Sequence, residues 1–222
     1  MNRLVKIVLL FSISVILSSC IFDDDEEGKK WDAAKVCPET GTNSYGMPNR
    51  GTFTDERDGQ VYKYTTIGKQ VWMAQNLNYD YEYSYCFYED DDCQIMGRTY
   101  SPGYLAVCPA GWHVPTDDEW QQLFGMFENT LHASKTLKST YSWTALNPED
   151  NPNGTDECGF SAVYAKSEID MSGFETGFMT STNTSSINNN VKIYTFLSYG
   201  EGIGSSTQPG YYHSQYVRCV KD

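Results

Sequence analysis

The sequence contains no CxxC pair and only three histidines, His113, His132 and His213, whose spacing does not suit a ligand set. That leaves out a zinc site of ordinary spacing. Positive charge is scarce: 16 Lys and Arg stand against 29 Asp and Glu, giving a net charge of −13 and a pI near 4.5. Phosphate backbones are bound by basic surfaces, so nucleic acid is excluded as a partner. Long apolar runs are also missing. The longest, Ile7 to Leu17, has eleven residues, short of the ~20 that a membrane-spanning helix needs. No internal repeat is present, which excludes repeat architectures.

What the chain does have is aromatic surface, 14% of residues against 20% charged. That balance favours a packed, tyrosine-rich domain with β structure over disorder. The N-terminus is organised differently. Arg3 and Lys6 precede the apolar run, which reads as a signal-peptide core. It ends in Leu17-Ser18-Ser19-Cys20, which resembles a bacterial lipoprotein cleavage box. Residues 1–19 are then the signal peptide, and Cys20 is the lipidated first residue of the mature chain. Loss of Arg3 and Lys6 takes the net charge from −13 to −15. Asp23-Asp24-Asp25-Glu26-Glu27 cannot pack into a core and must stay solvated. The run serves as a spacer from the membrane, or as an acidic export tag of the kind it resembles in surface lipoproteins. Residues 20–50 read as an acidic and polar linker anchored by Cys37, and residues 51–222 as the domain.

Within the domain, Asp58-Gly59 and Gly68-Lys69 lie between β-rich segments, a strong hairpin signal. Strands are expected at 52–55, 60–67 and 70–74, with Trp72 and Met73 packed beneath them. The alternating aromatics of Tyr79–Tyr88 predict a strand with one stacked face. Further strands are expected at 160–165, 176–181, 191–198 and 211–220. The Ser/Thr/Asn-rich segment 180–190 and the Gly/Ser-rich segment 200–210 read as surface loops. The principal helix is expected at 117–131, and a short second one at 134–139. Thr116 and Glu119 form a capping-box pair, Asp117 and Asp118 complement the helix dipole, and Pro115 blocks an earlier start. Trp120, Leu123, Phe124 and Phe127 form one apolar stripe for the core to pack against. His113 reads as a residue that satisfies backbone groups.

Seven cysteines become an even set of six, Cys37, Cys86, Cys93, Cys108, Cys158 and Cys219, once Cys20 is assigned to lipid. In an exported chain they read as disulfides, with fifteen connectivities open. Cys86 and Cys93 form the natural local pair, closing a short loop.

The stretch Cys108-Pro109-Ala110-Gly111-Trp112-His113-Val114-Pro115-Thr116, with Glu119-Trp120, resembles the Fibrobacter succinogenes major paralogous domain. Other pieces match in order. They are Asp58-Gly59 before Val61-Tyr62, Ile67-Gly68, the run Gln70 to Tyr79, and Leu137-Lys138-Ser139. Then follow Asn153-Gly154-Thr155-Asp156, Gly159-Phe160-Ser161-Ala162 and the closing Val217 to Asp222. The resemblance spans residues 51–222, and the family's central motif is similar to C-type-lectin-like and formylglycine-generating-enzyme-like domains. It implies an α+β, C-type-lectin-like fold of twisted antiparallel sheets with one principal helix and long loops, stapled by disulfides. It also implies a Cys108–Cys219 bridge from helix to terminal strand, which leaves Cys37 with Cys158.

The resemblance assigns no biochemical activity, and family members are secreted or surface proteins. The expectation is a surface-anchored lipoprotein of the cell envelope, held in the outer membrane through Cys20. Its domain would bind without catalysis, as an adhesion module for glycan or another surface protein. The alternatives are an enzyme related to the formylglycine-generating group, which needs two unpaired reactive cysteines, and a structural envelope component. Candidate ligand-binding residues are Tyr194, Tyr199, Tyr211 and Tyr212, aromatic faces beside amides and hydroxyls. Tyr81, Tyr83, Tyr85 and Tyr216 are further exposed-tyrosine candidates. No cofactor is expected except calcium. The loop 147–157 carries Glu149, Asp150, Asn153 and Asp156 as candidate oxygen ligands. A solvated turn is the preferred reading, because the loop lacks the Glu-Pro-Asn of sugar-binding lectins and Gln208-Pro209-Gly210 lacks their acid. Recognition is expected in the later loops 147–157, 180–190 and 200–212, not in the central motif.

Overall fold

Aromatic and β-branched residues occupy successive positions in several short segments, and both faces of the resulting strands are buried. The computed structural model describes residues 31–86, 90–102, 104–145, 147, 149–164, 175–185, 190–199, 202–209 and 214–222. Cys20, the acidic run at 23–27, Pro148, Tyr211, Tyr212 and His213 lie outside the described residues. The described elements begin with α1 (Ala33–Val36), β1 (Arg50–Thr54), β2 (Val61–Ile67), β3 (Gln70–Met73), β4 (Ser84–Tyr85) and α2 (Asp90–Met96). They continue with β5 (Thr99–Tyr100), β6 (Trp112–His113), α3 (Asp117–Phe124) and α4 (Thr130–Leu137). The chain closes with β7 (Glu175–Ser185), β8 (Asn190–Leu197), β9 (Ile203–Pro209), β10 (Gln215–Tyr216) and β11 (Val220–Lys221).

These strands form a five-stranded sheet, β1-β2-β3-β11-β6, and a six-stranded sheet, β4-β5-β10-β7-β8-β9. The fold is therefore α+β. One correction concerns strand direction, because β10 runs parallel to β7 at Tyr216 and Phe178 while the other described pairs are antiparallel. Neighbouring residues of a strand point to opposite faces. Trp72 and Met73, Phe178 and Met179, and Tyr216 and Val217 accordingly separate into two buried clusters. Trp72 and Met73 are thus buried as expected, but on opposite sides.

The hairpins at Asp58-Gly59 and Gly68-Lys69 form where the sequence predicts them. Thr116 and Glu119 close the capping box, with the Glu119 N–H donating to Thr116 Oγ1 and the Thr116 N–H donating to Glu119 Oε2. The helix expected at 117–131 is two helices. Gly125 ends α3, and Asn129 starts α4 by accepting the His132 N–H, so the second helix begins earlier than 134. Phe127 remains buried in the turn between them.

Other departures have local causes. The expected strand at 160–165 is irregular, with one bridge between Lys138 and Ala162. Ser161 adopts a left-handed φ of 52° while its N–H and hydroxyl donate to Asp156, which breaks an extended run. Of the expected Tyr79–Tyr88 strand, β4 is what forms among the described residues, because the chain turns at Tyr81–Ser84. Most of the expected loop at 200–210 is the edge strand β9, and 180–185 belongs to β7. Edge strands need backbone partners and not apolar side chains, and β9 presents Ser205, Ser206 and Thr207 to solvent. The strand expected at 211–220 is, among the described residues, the two short strands β10 and β11.

Residues Trp31–Asp222 form one compact unit. The end of the segment read as linker belongs to it: Trp31 stacks on Phe127 and Cys37 is fully buried. Disulfides join Cys37 to Cys158, Cys86 to Cys93 and Cys108 to Cys219, the three pairs named above, at Cα separations of 5.1, 5.6 and 6.0 Å. The two long ones cross-link residues 121 and 111 apart, each contributing on the order of 4–5 kcal/mol on a chain-entropy basis.

Trp120 is completely buried and packs on Trp72, Phe160, Phe178 and Tyr194. Trp120→Ala should lower stability by about 3–5 kcal/mol as a large aromatic truncation, read as a shift in the urea midpoint.

Candidate functional site

The C-terminal end of α4 is where the sequence brings polar groups to a concavity. Its last carbonyls need partners, and the segment after the 147–152 loop supplies them. The N–H and hydroxyl of Thr155 donate to the Lys135 carbonyl, and the Gly154 N–H donates to the Ser139 carbonyl at 2.8 Å. Gly154 is required for that approach, because a Cβ there would overlap the Lys138 carbonyl. On the other side Gly202, at φ 81°, brings the β8–β9 turn against Ser134 and Leu131 of α4, where a Cβ would again collide.

Between these contacts lies a cavity of about 370 Å³, within the range of small-ligand sites. Leu131, Ser134, Lys135 and Lys138 line it from the helix, Asn147, Asp150, Asn151 and Pro152 from the loop, and Ser198 and Tyr199 from the end of β8. The structure therefore unites Tyr199 with Asp150, drawn from two separate groups of candidates. Tyr199 is 46% exposed.

The lysines and serines of this wall are not visible as site residues in the sequence. The Lys138 side chain is only 5% exposed; its Nζ donates to the Leu197 carbonyl at 3.0 Å and lies 4.7 Å from the centre of the Trp143 ring. Burial, and secondarily the nearby Lys135 charge, pull its ammonium down to about 8. The buried hydroxyls of Ser134 and Ser198 have no hydrogen-bond partner among the described residues. Each such group costs about 1–3 kcal/mol of desolvation.

Other candidates are placed elsewhere. Tyr194 is a correction: it is 6% exposed and its hydroxyl donates to Asp117 Oδ1 at 2.6 Å. Asp117 also takes Lys192 and Gln121, so it fastens α3 to β8 instead of only facing the helix dipole. Tyr216 is buried in the first cluster. Tyr83 stacks on Tyr104 at 4.2 Å beside Tyr81, and Tyr85 is exposed. The oxygen ligands proposed for calcium do not converge. Both carboxylate oxygens of Asp156 accept from Ser161, the Asn153 side chain accepts the Trp143 N–H, and Asp150 accepts from Asn147. Glu149 is exposed, and no cluster of three or more His, Cys, Asp and Glu occurs among the described residues.

His113 is a second correction, since its ring bonds carboxylates and not backbone. Nδ1 lies 2.6 Å from Asp222 Oδ1 and Nε2 lies 2.9 Å from Glu119 Oε1. Both ring nitrogens are engaged and Glu119 is held by its capping role, so the array ties the last residue to α3 and offers no base. Partial burial lowers the imidazole's proton affinity, but the two carboxylates outweigh it and the net shift is upward. A raised folded value means that His113 stabilises the fold fully below the ~6.5 of an unfolded histidine. That contribution disappears as pH rises through the folded value. The stability gap between the native protein and His113→Gln, measured by urea unfolding, should therefore be larger at pH 5.5 than at pH 9.

Comparison with known proteins gives one match. Residues 65–221 match the family described as the Fibrobacter succinogenes major domain. No curated protein and no solved structure matches the chain. The matched region runs from β2 to β11 and includes the central motif, the α4 wall and β8, so the chain belongs to the Fibrobacter succinogenes major domain family.

Proposed function

We propose that this chain is an outer-membrane lipoprotein of the cell envelope, anchored through lipid on Cys20. Residues 1–19 are its signal peptide, and the acidic run at 23–27 spaces the domain from the bilayer. The domain is a surface-exposed, non-catalytic adhesion module of lectin-like character, and its ligand is a glycan taken into the cavity between α4, the 147–152 loop and the end of β8. The carrying observation is the composition of that cavity. An exposed tyrosine, two asparagines and a carboxylate share one concave wall. Sugar rings present hydroxyls that match such amides and carboxylates, and C–H faces that pack on aromatic rings.

The pairing of Cys37, Cys86, Cys93, Cys108, Cys158 and Cys219 supports binding over formylglycine-type chemistry. All six are held in disulfides, so none of them supplies a thiolate nucleophile.

Two experiments test this reading. The full-length protein, purified in detergent, should bind members of a glycan array in the presence and absence of calcium. Tyr199→Ala should weaken that binding about tenfold while shifting stability by no more than about 0.5 kcal/mol, as for an exposed position. Absence of glycan binding combined with co-purification of envelope proteins would favour a structural or protein-binding role instead. Separately, mass spectrometry of the mature protein should find a diacylated or triacylated N-terminal Cys20, and Cys20→Ala should release the protein from membranes or leave it unprocessed. An unmodified N-terminus at another residue would refute the anchor.

A further inference from the structure

Two cations are almost fully buried among the described residues, and they are treated differently. Arg218 is fully buried, and its guanidinium is met by acceptors: Nε donates to Asn76 Oδ1 at 2.9 Å, and the two terminal nitrogens donate to the carbonyls of Phe160 and Ser161. Asp156 lies close enough to add an attractive charge. Lys138 is also almost wholly buried, but its ammonium has three N–H groups and a single described acceptor, the Leu197 carbonyl. No carboxylate among the described residues pairs with it, and the charge that acts on it is the repulsive one of Lys135. Burying an unpaired ammonium is costly, and an uncharged side chain of similar length would fill the same space. The site thus has a positive centre without its anion, at the wall of the cavity.

We propose that the ligand of this cavity is an anionic glycan, recognised through the carboxylate of a uronic-acid residue by Lys138, with Lys135 beside it. The inference rests on the glycan reading above and specifies its class. A carboxylate supplies the acceptors that Lys138 lacks, and it relieves the repulsion from Lys135. The sugar's hydroxyls remain to donate to Asp150 and the asparagine amide oxygens, which would repel a second acidic group; one carboxylate per occupied sugar is what the lining suits. The chain's net charge of −13 acts against an anion at long range. At ~0.15 M salt that field is screened within about 8 Å, so the lysines of the wall decide the outcome.

The probes are a galacturonate tetramer, its methyl ester and a galactose tetramer, titrated calorimetrically into the full-length protein in detergent. The free acid should bind at least tenfold more tightly than the ester or the neutral tetramer. Lys138→Met should reduce the acid's affinity to that of the ester, and Lys135→Met should narrow the gap severalfold without removing it. The comparison of acid with ester on the unaltered protein does not depend on either variant folding. Equal binding of acid and ester would overturn the uronate proposal and leave the glycan reading standing. Failure of all three sugars, together with failure on the array, would overturn both, and an acidic hexapeptide binding where the sugars do not would replace them with a peptide ligand.

Discussion

The contact on which most of this structure depends is the indole of Trp120. It meets Trp72 of the five-stranded sheet on one side and Phe178 and Tyr194 of the six-stranded sheet on the other, at ring separations of 4.8 to 5.8 Å. Neither sheet shares a hydrogen-bonded strand with the other, so their mutual position is set by side-chain packing and by the connections between them. A single helix that presents a large aromatic to both is the economical solution. Its placement is reinforced at the N-terminus, where the Asp117 N–H donates to Thr182, the Ser181 N–H donates to Pro115, and the Asp117 carboxylate binds Tyr194 and Lys192. The central motif is consequently a structural joint: Asp117, Glu119 and its aromatics are turned toward the protein, while Asp118 faces solvent.

That arrangement leaves recognition to the segments beyond the joint. The α4 helix begins after Gly125 ends α3, and its Lys135 carbonyl is satisfied by Thr155 of the loop that follows, beside Gly154 on the Ser139 carbonyl. The hydrogen bonds that complete the helix therefore also build the cavity wall. The Lys138 amine bonded to the Leu197 carbonyl closes the ring of elements by joining α4 to the end of β8. A site built in this way is held by backbone geometry, and its side chains are free to differ in chemistry without loss of the frame.

Electrostatics follow the same division. Part of the acidic surplus is clustered in the run at 23–27, whereas individual carboxylates of the described residues have assigned partners: Asp55 holds Arg57, Asp117 holds Lys192, and Glu119 with Asp222 holds the His113 ring. Arg218 is matched by carbonyls and an amide. Against that background the lysine at the cavity differs in kind, because every other strongly buried charge in the described residues has its counterpart.

The sequence alone determined the elements whose causes are local. The capping box at Thr116 and Glu119, the two glycine hairpins and the buried stripe of Trp120, Leu123 and Phe127 follow from neighbouring residues acting on one another. The even cysteine set and the family's ordered motifs carried the three disulfide pairs. Long-range packing decided the rest. Edge pairing with β8 made a strand of the Gly/Ser-rich segment at 203–209, for which side-chain propensity alone indicates a loop. Tyr194 and Tyr199 are the same residue type five positions apart, yet the inward face of β8 buries the first against Asp117 and the turn beyond it exposes the second at the cavity. Lys138 reads in the chain as one polar residue among many. It becomes a buried cation because Gly154 and Leu197 close around it from distant parts of the sequence while Trp143 packs on it from five residues along the chain, and burial by remote segments is a property that no local pattern encodes.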